Sequence, residues 1–442
     1  MNSARVKRWK AMKLNSIKIP HLKKSASLRT VDIKLPEKVI IAMSQHGGVP
    51  CKPLVSVGDE VKTGQLIGDT DAVMSAPIHS SVTGKVTGVT TVLNVFGNVH
   101  EALVIETVPN QVLSDEIAPP VINSRQDFIA AVRKSGSVGL GGAGFPTHIK
   151  FSYDPGSVKI DTLIINGAEC EPYITSDHRA MLEESEKIID GAKQIKKYLD
   201  IDRAVIAIES NKPDAIEKLS GLAAGETGIS VVSLPPAYPQ GAEKVIIHSV
   251  TGRVVKKGEL PSSVGCIVLN CSTAAFISDY LRTGIPLIKR RITVDGNVVN
   301  KPKNLIVPIG TRACDIITAA DVRTAPDRAI VGGPMMGITF YDEEMPTTKT
   351  TNSLLLFAET KKPHHTACIR CGRCVRACSM GLMPTELERA FELKDVERLK
   401  KLDVDLCMNC GACSYVCPAK RNLSEKNQLA KMYIREQASL KR

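Results

Sequence analysis

The feature that most constrains this sequence is a pattern of cysteines near its carboxyl end. Two runs share the spacing C-x2-C-x2-C-x3-C, and proline follows the second run directly. This spacing is typical of chains that hold cubane iron–sulfur clusters, because three thiolates two residues apart can surround one corner of a cluster within a single loop. The runs therefore predict two [4Fe–4S] clusters. Their cysteines are Cys368, Cys371, Cys374 and Cys378, then Cys407, Cys410, Cys413 and Cys417.

The fourth cysteine of each run is expected to cross over, since in two-cluster ferredoxins it binds the other cluster. One predicted ligand set is Cys368, Cys371, Cys374 and Cys417; the second is Cys407, Cys410, Cys413 and Cys378. Zinc ribbons are the alternative, but they use pairs of C-x2-C. Disulfides do not suit the reducing cytoplasm that the clusters and five further cysteines indicate.

Length and charge narrow the class of protein. The 442 residues suggest about three or four domains. No stretch approaches the roughly 18 apolar residues of a membrane span. The net charge is +12, and residues 1–34 carry ten basic residues against Asp32 alone. A nucleic-acid-binding segment would carry aromatic residues between its basic residues, and here only Trp9 is present. We therefore expect this segment to bind an anionic membrane surface or an acidic protein partner, and not nucleic acid. A solvated tail is the alternative.

Residues 35–108 are predicted to be rich in β-strands. Two short hairpins, one around the Gly58–Asp59 turn and one over residues 81–86, resemble a lipoyl/biotinyl-type barrel-sandwich hybrid. Carrier domains of that type place a modified lysine at a hairpin tip. Residues 69–74 occupy that position here and contain no lysine, so we expect a structural module.

The loop Gly139–Pro146 contains four glycines in six residues and formally matches G-x-G-x-x-G. The dinucleotide fingerprint requires a strand before such a loop and a helix directly after it. Here a predicted helix precedes the loop and Pro146 follows it, so the ordinary Rossmann interpretation fails. The bare backbone is still suited to approach a flat or anionic ligand, with a plain structural turn as the alternative.

An alternation of strands and helices follows this loop and predicts an α/β domain over residues 124–250. The strand at 162–165 runs into the polar segment 166–172, and the carboxyl ends of strands are where open α/β sheets bind ligands. Lys150 and Lys244 are candidates to hold a phosphate, Lys244 because it lies near a helix start.

The remaining segments are assigned by pattern. Residues 255–345 suit a small β-grasp domain, and residues 358–430 an α-helical two-cluster ferredoxin-type domain, because helical patterns separate the two cysteine runs. Residues 431–442 are a basic tail. The predicted fold class is therefore multidomain, α/β and α+β.

Two segments together resemble the flavoprotein subunit of respiratory complex I. The loop Gly139–Pro146 and the segment Asn166–Pro172 match its patterns G-R-G-G-A-G-F-P and N-x-D-E-x-E-P, which build an FMN site with NADH stacked on it. With residues 45–50, 75–80 and 238–244 and both cysteine runs, residues 35–430 are similar to the RnfC family, which supplies one subunit of the Rnf electron transport complex.

The resemblance implies a barrel, a Rossmann-like FMN- and NADH-binding domain, a soluble-ligand-binding β-grasp (SLBB) domain and two clusters. Leu140, Ala168 and Ala242 depart from the complex I pattern and affect the expected NADH pose. Glu169 is the predicted catalytic residue, placed to accept a hydrogen bond from the nucleotide. The residues that match flavin or nucleotide contacts are Gly139, Gly141, Gly142, Gly144, Lys150, Asn166, Glu169, Tyr238, Gly241, Glu243, Asn270 and Thr273.

The implied function is that of a peripheral NADH-facing subunit on the cytoplasmic face of a bacterial cell membrane. A flavin is required between a two-electron hydride donor and one-electron clusters. FMN is expected to be non-covalent, because no flavinylation sequence is seen. Expected partners are NADH, the other subunits of the complex, and ferredoxin through them, coupled to Na⁺ or H⁺ translocation. The alternatives are a cobalamin reductase of a bacterial microcompartment, whose family lacks the barrel, and a non-catalytic iron–sulfur wire.

Overall fold

The computed structural model describes residues 14–93, 98–340, 342–358, 360 and 364–440. Within those ranges it contains seventeen strands, thirteen α-helices and two short 3-10 helices, Pro261–Val264 and Val404–Leu406. The strands are β1 (Val31–Asp32), β2 (Lys38–Ala42), β3 (Lys52–Pro53), β4 (Glu60–Val61), β5 (Leu66–Asp69), β6 (Ile78–His79), β7 (Gly84–Leu93), β8 (Val99–Thr107), β9 (Thr162–Gly167), β10 (Arg203–Glu209), β11 (Ile229–Leu234), β12 (Cys266–Asn270), β13 (Lys289–Gly296), β14 (Lys303–Pro308), β15 (Arg328–Val331), β16 (Ile338–Phe340) and β17 (Ser353–Phe357). The helices are α1 (Arg125–Lys134), α2 (Thr147–Phe151), α3 (Ser176–Glu183), α4 (Ser185–Tyr198), α5 (Pro213–Ala223), α6 (Glu243–Thr251), α7 (Cys271–Thr283), α8 (Ala313–Ala319), α9 (Arg373–Ala377), α10 (Pro384–Glu392), α11 (Val396–Lys401), α12 (Ala412–Tyr415) and α13 (Leu423–Leu440).

The amino-terminal barrel consists of two antiparallel sheets. One has the strand order β2-β8-β7-β4 and the other β3-β5-β6. Alternate residues of these strands point inward, as in Val39 and Ile41 of β2 and Leu103 and Ile105 of β8, which are buried in a single core. This part of the chain is the predicted structural module.

The second part is a four-stranded parallel sheet in the order β11-β10-β9-β12. Helices α1, α4, α5 and α7 cover one face, around Leu163 and Ile206, and α6 covers the other, around Ile164 and Val205. The prediction placed the boundary of this domain at 250. That boundary is wrong, because β12 pairs along β9 in parallel and α7 packs in the same core.

A six-stranded mixed sheet, in the order β1-β14-β13-β17-β15-β16, forms the third part. Its central strands β13 and β17 are parallel. Strand β14 pairs antiparallel with β13 and parallel with β1, and β15 pairs antiparallel with both β17 and β16. Helix α8 packs Ile316 against a core that includes Ile292 and Leu354. The sheet extends past the predicted limit of 345, since it needs β17 for its centre.

Helices α9 to α13 surround the two cysteine runs. Leu387, Leu399 and Val404 form an apolar core beside Cys378 and Cys407. Residues 431–440 continue α13, so the predicted basic tail is helical up to its last two residues, which lie outside the described ranges. No helix in the described part of the chain is long and apolar enough to cross a membrane.

Residues 14–34, hereafter the N-terminal strap, contact the parallel-sheet domain, the mixed sheet and the cysteine-rich domain. Ile17 pairs with Tyr238, Asn15 Nδ2 donates to the Cys378 carbonyl at 3.2 Å, and β1 extends the mixed sheet along β14. Since Ile19 is also buried, the alternative of a solvated tail is wrong for these residues. Residues 1–13 of the predicted basic arm lie outside the described ranges.

Candidate functional site

The candidate site lies at the carboxyl edge of the parallel sheet. The chain runs from β9 outward to β10 and β11 and then returns to add β12 on the other side of β9. Such a reversal of strand order leaves a crevice outside the carboxyl ends of the two strands, where open α/β sheets bind ligands. Asn166 ends β9 and Asn270 ends β12, and the two residues are register partners.

The glycine-rich loop covers this crevice. Leu140 N–H donates to Thr273 Oγ1 at 3.1 Å, which fixes the loop to the first turn of α7. Strand β9 follows the loop instead of preceding it, so the failure of the ordinary Rossmann pattern is confirmed. The sheet nevertheless has the strand order of a Rossmann half.

Gly142 has the open face that a bound ligand needs. Its φ is +109°, and a Cβ built on it would meet no atom within 4 Å. Gly141, Gly142 and Ala143 are exposed, and their N–H groups make no hydrogen bond to another described residue. Successive free N–H groups of this kind suit an anion or a flavin edge. The residues present therefore fit the flavin phosphate or ring.

Gly144 is required for another reason. A Cβ there would lie 2.6 Å from Thr350 Cγ2, so the glycine admits a neighbouring segment of the protein. The expectation that this glycine admits the cofactor is not supported by its surroundings. The barrel also reaches the loop, since Gly47 N–H donates to the Gly144 carbonyl at 3.0 Å.

Two residues that the sequence did not indicate donate hydrogen bonds to the glycine-rich loop or to the segment before it. Buried Arg290 donates from Nη2 to the Leu140 carbonyl at 2.9 Å. Lys349, also buried, donates to the carbonyls of Pro77 (2.5 Å) and Gly136 (2.8 Å), which joins the barrel to the segment before the loop. Burial lowers the pKa of Lys349 to about 7.

Two pairs of predicted site residues are joined by side-chain hydrogen bonds. Asn166 Nδ2 donates to the Gly241 carbonyl at 2.9 Å, and Lys150 Nζ donates to Glu243 Oε1 at 2.7 Å. The carboxylate of Glu243 thus offsets the charge that Lys150 was expected to offer a phosphate. Lys244 takes part in neither pair. Its ammonium donates to the carbonyls of Val255 and Lys256, and among the described residues it contacts no other predicted site residue.

Asp177, which the sequence analysis missed, connects the two halves of the crevice. Its carboxylate accepts from Asn270 Nδ2 at 2.7 Å and from Ser272 Oγ at 2.8 Å. Its backbone N–H donates to Glu169 Oε1 at 2.7 Å. The only signal in the sequence is that an acid stands in the first turn of the helix that follows the polar segment.

Glu169 is buried at the centre of this network. Oε1 is held by the N–H of Asp177, whereas Oε2 has no hydrogen-bond partner among the described residues and lies 3.7 Å from Lys23 Nζ. Burial raises the pKa of Glu169 to about 7, against the lowering effect of Lys23. A buried oxygen without a donor costs free energy unless a ligand supplies one.

The loop that contains Tyr238 touches the second cysteine run. Tyr238 is buried, and its hydroxyl donates to the Cys410 carbonyl at 2.6 Å. Cys170 and Met335 pack in the same apolar cluster as Cys410. The run at 407–417 is therefore the one that adjoins Tyr238 and Cys170.

The crossover of the fourth cysteines stays a prediction, because no group of three or more His, Cys, Asp or Glu side chains in the described residues is arranged to hold a metal ion. Electrostatic interactions between the thiols nevertheless connect the two runs. Burial raises the pKa of Cys378, and Cys407 of the other run raises it further. Cys378 in turn raises the pKa of Cys410 and of Cys413. In the other predicted ligand set, burial raises the pKa of Cys374, and Cys417 and Cys368 raise it further. All thirteen cysteines lie in the described ranges and carry free thiols. The two groups therefore have the donor type that cubane clusters need.

Three family models match the chain. The Nuo51 FMN-binding domain matches residues 132–279, the RnfC barrel sandwich hybrid domain residues 14–109, and the 4Fe-4S dicluster domain residues 367–420. The predicted FMN-binding, barrel and two-cluster domains are thereby confirmed. The barrel model begins at residue 14, so the N-terminal strap is part of what it matches.

Similar curated proteins match over most of the chain. The C subunit of the proton-translocating ferredoxin:NAD(+) oxidoreductase complex of Clostridium ljungdahlii is 41% identical over 376 residues, covering 83% of this chain and 81% of that protein. Its counterpart in the Na(+)-translocating complex of Acetobacterium woodii is 39% identical over 362 residues, covering 80% and 81%. The solved structure of an air-oxidized NAD+-reducing [NiFe]-hydrogenase has a TM-score of 0.51 at 18% identity over 71% of this chain and 62% of that chain, so the two share a fold.

Proposed function

The chain belongs to the RnfC family of the ion-translocating ferredoxin:NAD+ oxidoreductase (Rnf) complex, and we propose that it is the subunit at which NAD(H) exchanges electrons with the complex. Electrons pass between the nucleotide, a non-covalent FMN and two [4Fe–4S] clusters, and then to partner subunits that exchange with ferredoxin. FMN, when bound, supplies the step between two-electron and one-electron chemistry. The single observation that carries the proposal is the hydrogen bond from the Tyr238 hydroxyl to the Cys410 carbonyl, which joins the loop 238–244 to the second cysteine run.

This contact supports a proposed order of the two clusters. The cluster held by Cys407, Cys410, Cys413 and Cys378 is proximal to the flavin, and the cluster held by the other four cysteines is distal. Cys368 and Cys371 of the distal set are exposed, which suits a site of electron exit. Anaerobic addition of NADH to the purified chain, with flavin and cluster absorbance followed in time, tests the function. A chain with full flavin and iron in which NADH reduces neither group would contradict it.

The finer domain assignments belong to the same proposal. The mixed sheet is proposed to be the SLBB β-grasp domain, supported by its central parallel pair β13 and β17 and by helix α8, which packs on it. We place the flavin at the face of Gly142 and the nicotinamide nucleotide beside Glu169. The protein is proposed to lie on the cytoplasmic face of the membrane, held there by its partner subunits.

Glu169→Gln is expected to weaken NADH binding while FMN is retained. The bond that its unpaired Oε2 accepts from the nucleotide is worth about 1.5–3 kcal/mol if charge-assisted, which corresponds to roughly a 10- to 150-fold rise in Kd. Because the pKa of Glu169 is about 7 and the anion is the acceptor, affinity in the unmodified chain should increase as pH rises through that value. The variant should lose this pH dependence.

Asp295→Asn is the matched control for Glu169→Gln. Asp295 is also fully buried, and burial raises its pKa to about 6, but it lies in the mixed sheet. We expect it to leave the Kd for NADH and its pH dependence unchanged. Equal losses of NADH affinity in the two variants would mean that removal of any buried carboxylate weakens binding. Glu169 would then have no specific contact with the nucleotide.

An acidic face of a partner subunit is proposed to dock over the distal cluster. The sequence between His364 and Cys378 contains no acid, and exposed Ile369 lies among its cations. Arg373 and Lys420 also line an open cleft of about 660 Å³ beside Cys417. Such a basic, partly apolar surface around an exposed redox centre suits a complementary acidic partner. This surface is proposed as a docking region in addition to residues 1–34, whose docking stays a prediction.

Charge reversal at Arg370 and Arg373 together should weaken assembly with the partner subunits by about tenfold at low salt, because each lost contact becomes a repulsion. The difference should shrink as ionic strength rises. Lys401→Glu, an exposed lysine at the end of α11 in the same domain, is the control. Co-purification of the partners as a function of salt is the measurement, and identical retention of the double variant and the control would refute the surface.

A further inference from the structure

One lysine of the N-terminal strap is buried beneath the loop that carries Glu169. Lys23 Nζ donates to the backbone carbonyls of Glu169 (2.9 Å) and Glu171 (2.8 Å), and also to that of Ile174. An ammonium group has three donors, so these carbonyls satisfy all of them. Lys23 thereby fixes the path of loop 169–174, although it lies far away in the sequence.

The same ammonium is the counter-ion of the buried carboxylate. Lys23 Nζ lies 3.7 Å from Oε2 of Glu169, the oxygen that has no hydrogen-bond partner in the described part of the chain. The side chains of Lys23 and Glu169 are only 14% and 5% exposed, so water screens the pair weakly. One oxygen of the carboxylate is thus held by Asp177, and the other is left for a donor that the described protein does not supply.

We propose that Lys23 is a positioning residue for the nicotinamide nucleotide: it holds loop 169–174 in place and, through its charge, keeps Glu169 an anion that accepts a hydrogen bond from NAD(H). The inference rests on the proposed function, because it requires that Glu169 faces the nucleotide. A buried lysine is costly to desolvate, and a purely packing role would be served as well by an apolar side chain.

The groups around Glu169 determine how its charge responds to pH. Burial and the charge of Asp177 favour the neutral acid. Lys23, Lys212 and the backbone N–H of Asp177 favour the anion. Lys212 is itself paired with buried Glu209 at 2.7 Å. Loss of the Lys23 charge therefore raises the pH at which Glu169 ionises. The ionisable groups that act on Glu169 are Lys23, Asp177 of α3, Lys212 before α5 and Cys271 of α7.

The test compares Lys23→Gln, which keeps hydrogen-bond donors but loses the charge, with Lys23→Arg, which keeps the charge. Equilibrium binding of NAD⁺ to the oxidised, cofactor-loaded full chain is measured between about pH 6 and pH 9, on either side of the Glu169 midpoint. Lys23→Gln should weaken binding about tenfold near pH 7 and move the midpoint upward. Lys23→Arg should retain most of the affinity, and Lys18→Gln, an exposed lysine of the same strap, should match the unmodified chain.

The double variant Lys23→Gln/Glu169→Gln separates positioning from general structure. It should bind NAD⁺ no more weakly than Glu169→Gln alone, since the charge of Lys23 then has no carboxylate to serve. An unchanged midpoint in Lys23→Gln, or a full additional loss in the double variant, would overturn the proposal. Loss of flavin and cluster absorbance in both Lys23 variants would also overturn it, by giving Lys23 a structural role. An unmodified chain that does not bind NAD⁺ would instead contradict the proposed function.

Discussion

A valine at position 142 is expected to give a folded chain that contains both iron–sulfur clusters, binds no FMN and does not oxidise NADH. A Cβ on Gly142 would meet no atom within 4 Å, so the valine side chain would project into open space, where the flavin is proposed to bind, instead of into the protein. The clusters should persist because they lie in a separate core. Flavin and iron per chain, quantified together after anaerobic purification, are the measurement.

Gly58→Val is the matched control for Gly142→Val. Gly58 lies in a turn of the barrel with a φ of +104°, and a Cβ there also meets nothing within 4 Å. Both variants therefore carry the same backbone strain, on the order of 1–3 kcal/mol, but only one faces the proposed cofactor. If Gly142→Val retained stoichiometric FMN and reduced an artificial acceptor with NADH, the flavin site would lie elsewhere.

Cys378→Ser is expected to damage the cluster whose other ligands belong to the second run. Cys378 and Cys407 pack against the same apolar core, whereas Cys374, the preceding cysteine of its run, packs in one cluster with Cys417. Because the damaged cluster is proximal, electrons from NADH should no longer reach the distal cluster, although a small acceptor that reacts at the flavin should still be reduced. EPR spectra of the NADH-reduced and dithionite-reduced chains measure both effects.

Cys417→Ser should give the reciprocal result. It should damage the distal cluster and leave the proximal one reducible by NADH. Cys314→Ser, which changes a partly exposed cysteine outside both runs, should leave both signals intact. If Cys378→Ser instead removed the cluster of its own run, the crossover assignment and the order of the clusters would both be wrong.

The sequence determined those features in which residues close in the chain act together. The cysteine spacing, the glycine-rich loop and the polar end of β9 each form one local unit, so their chemistry could be inferred without a fold. The same holds for the alternating strands of the barrel, because a period of two fixes which side chains face the core.

Only the tertiary structure decided which distant groups meet. Lys23 was one of ten bases in an apparently uniform basic segment, and nothing in its neighbours distinguishes the lysine that is buried against Glu169. Lys244 satisfied a local rule for phosphate binding, but its ammonium is engaged by two carbonyls. Strand β12 was assigned to the following domain because strand pairing across a long connection leaves no periodic signal. Ion pairs and parallel pairing depend on where remote segments pack, and local spacing carries no information about that position.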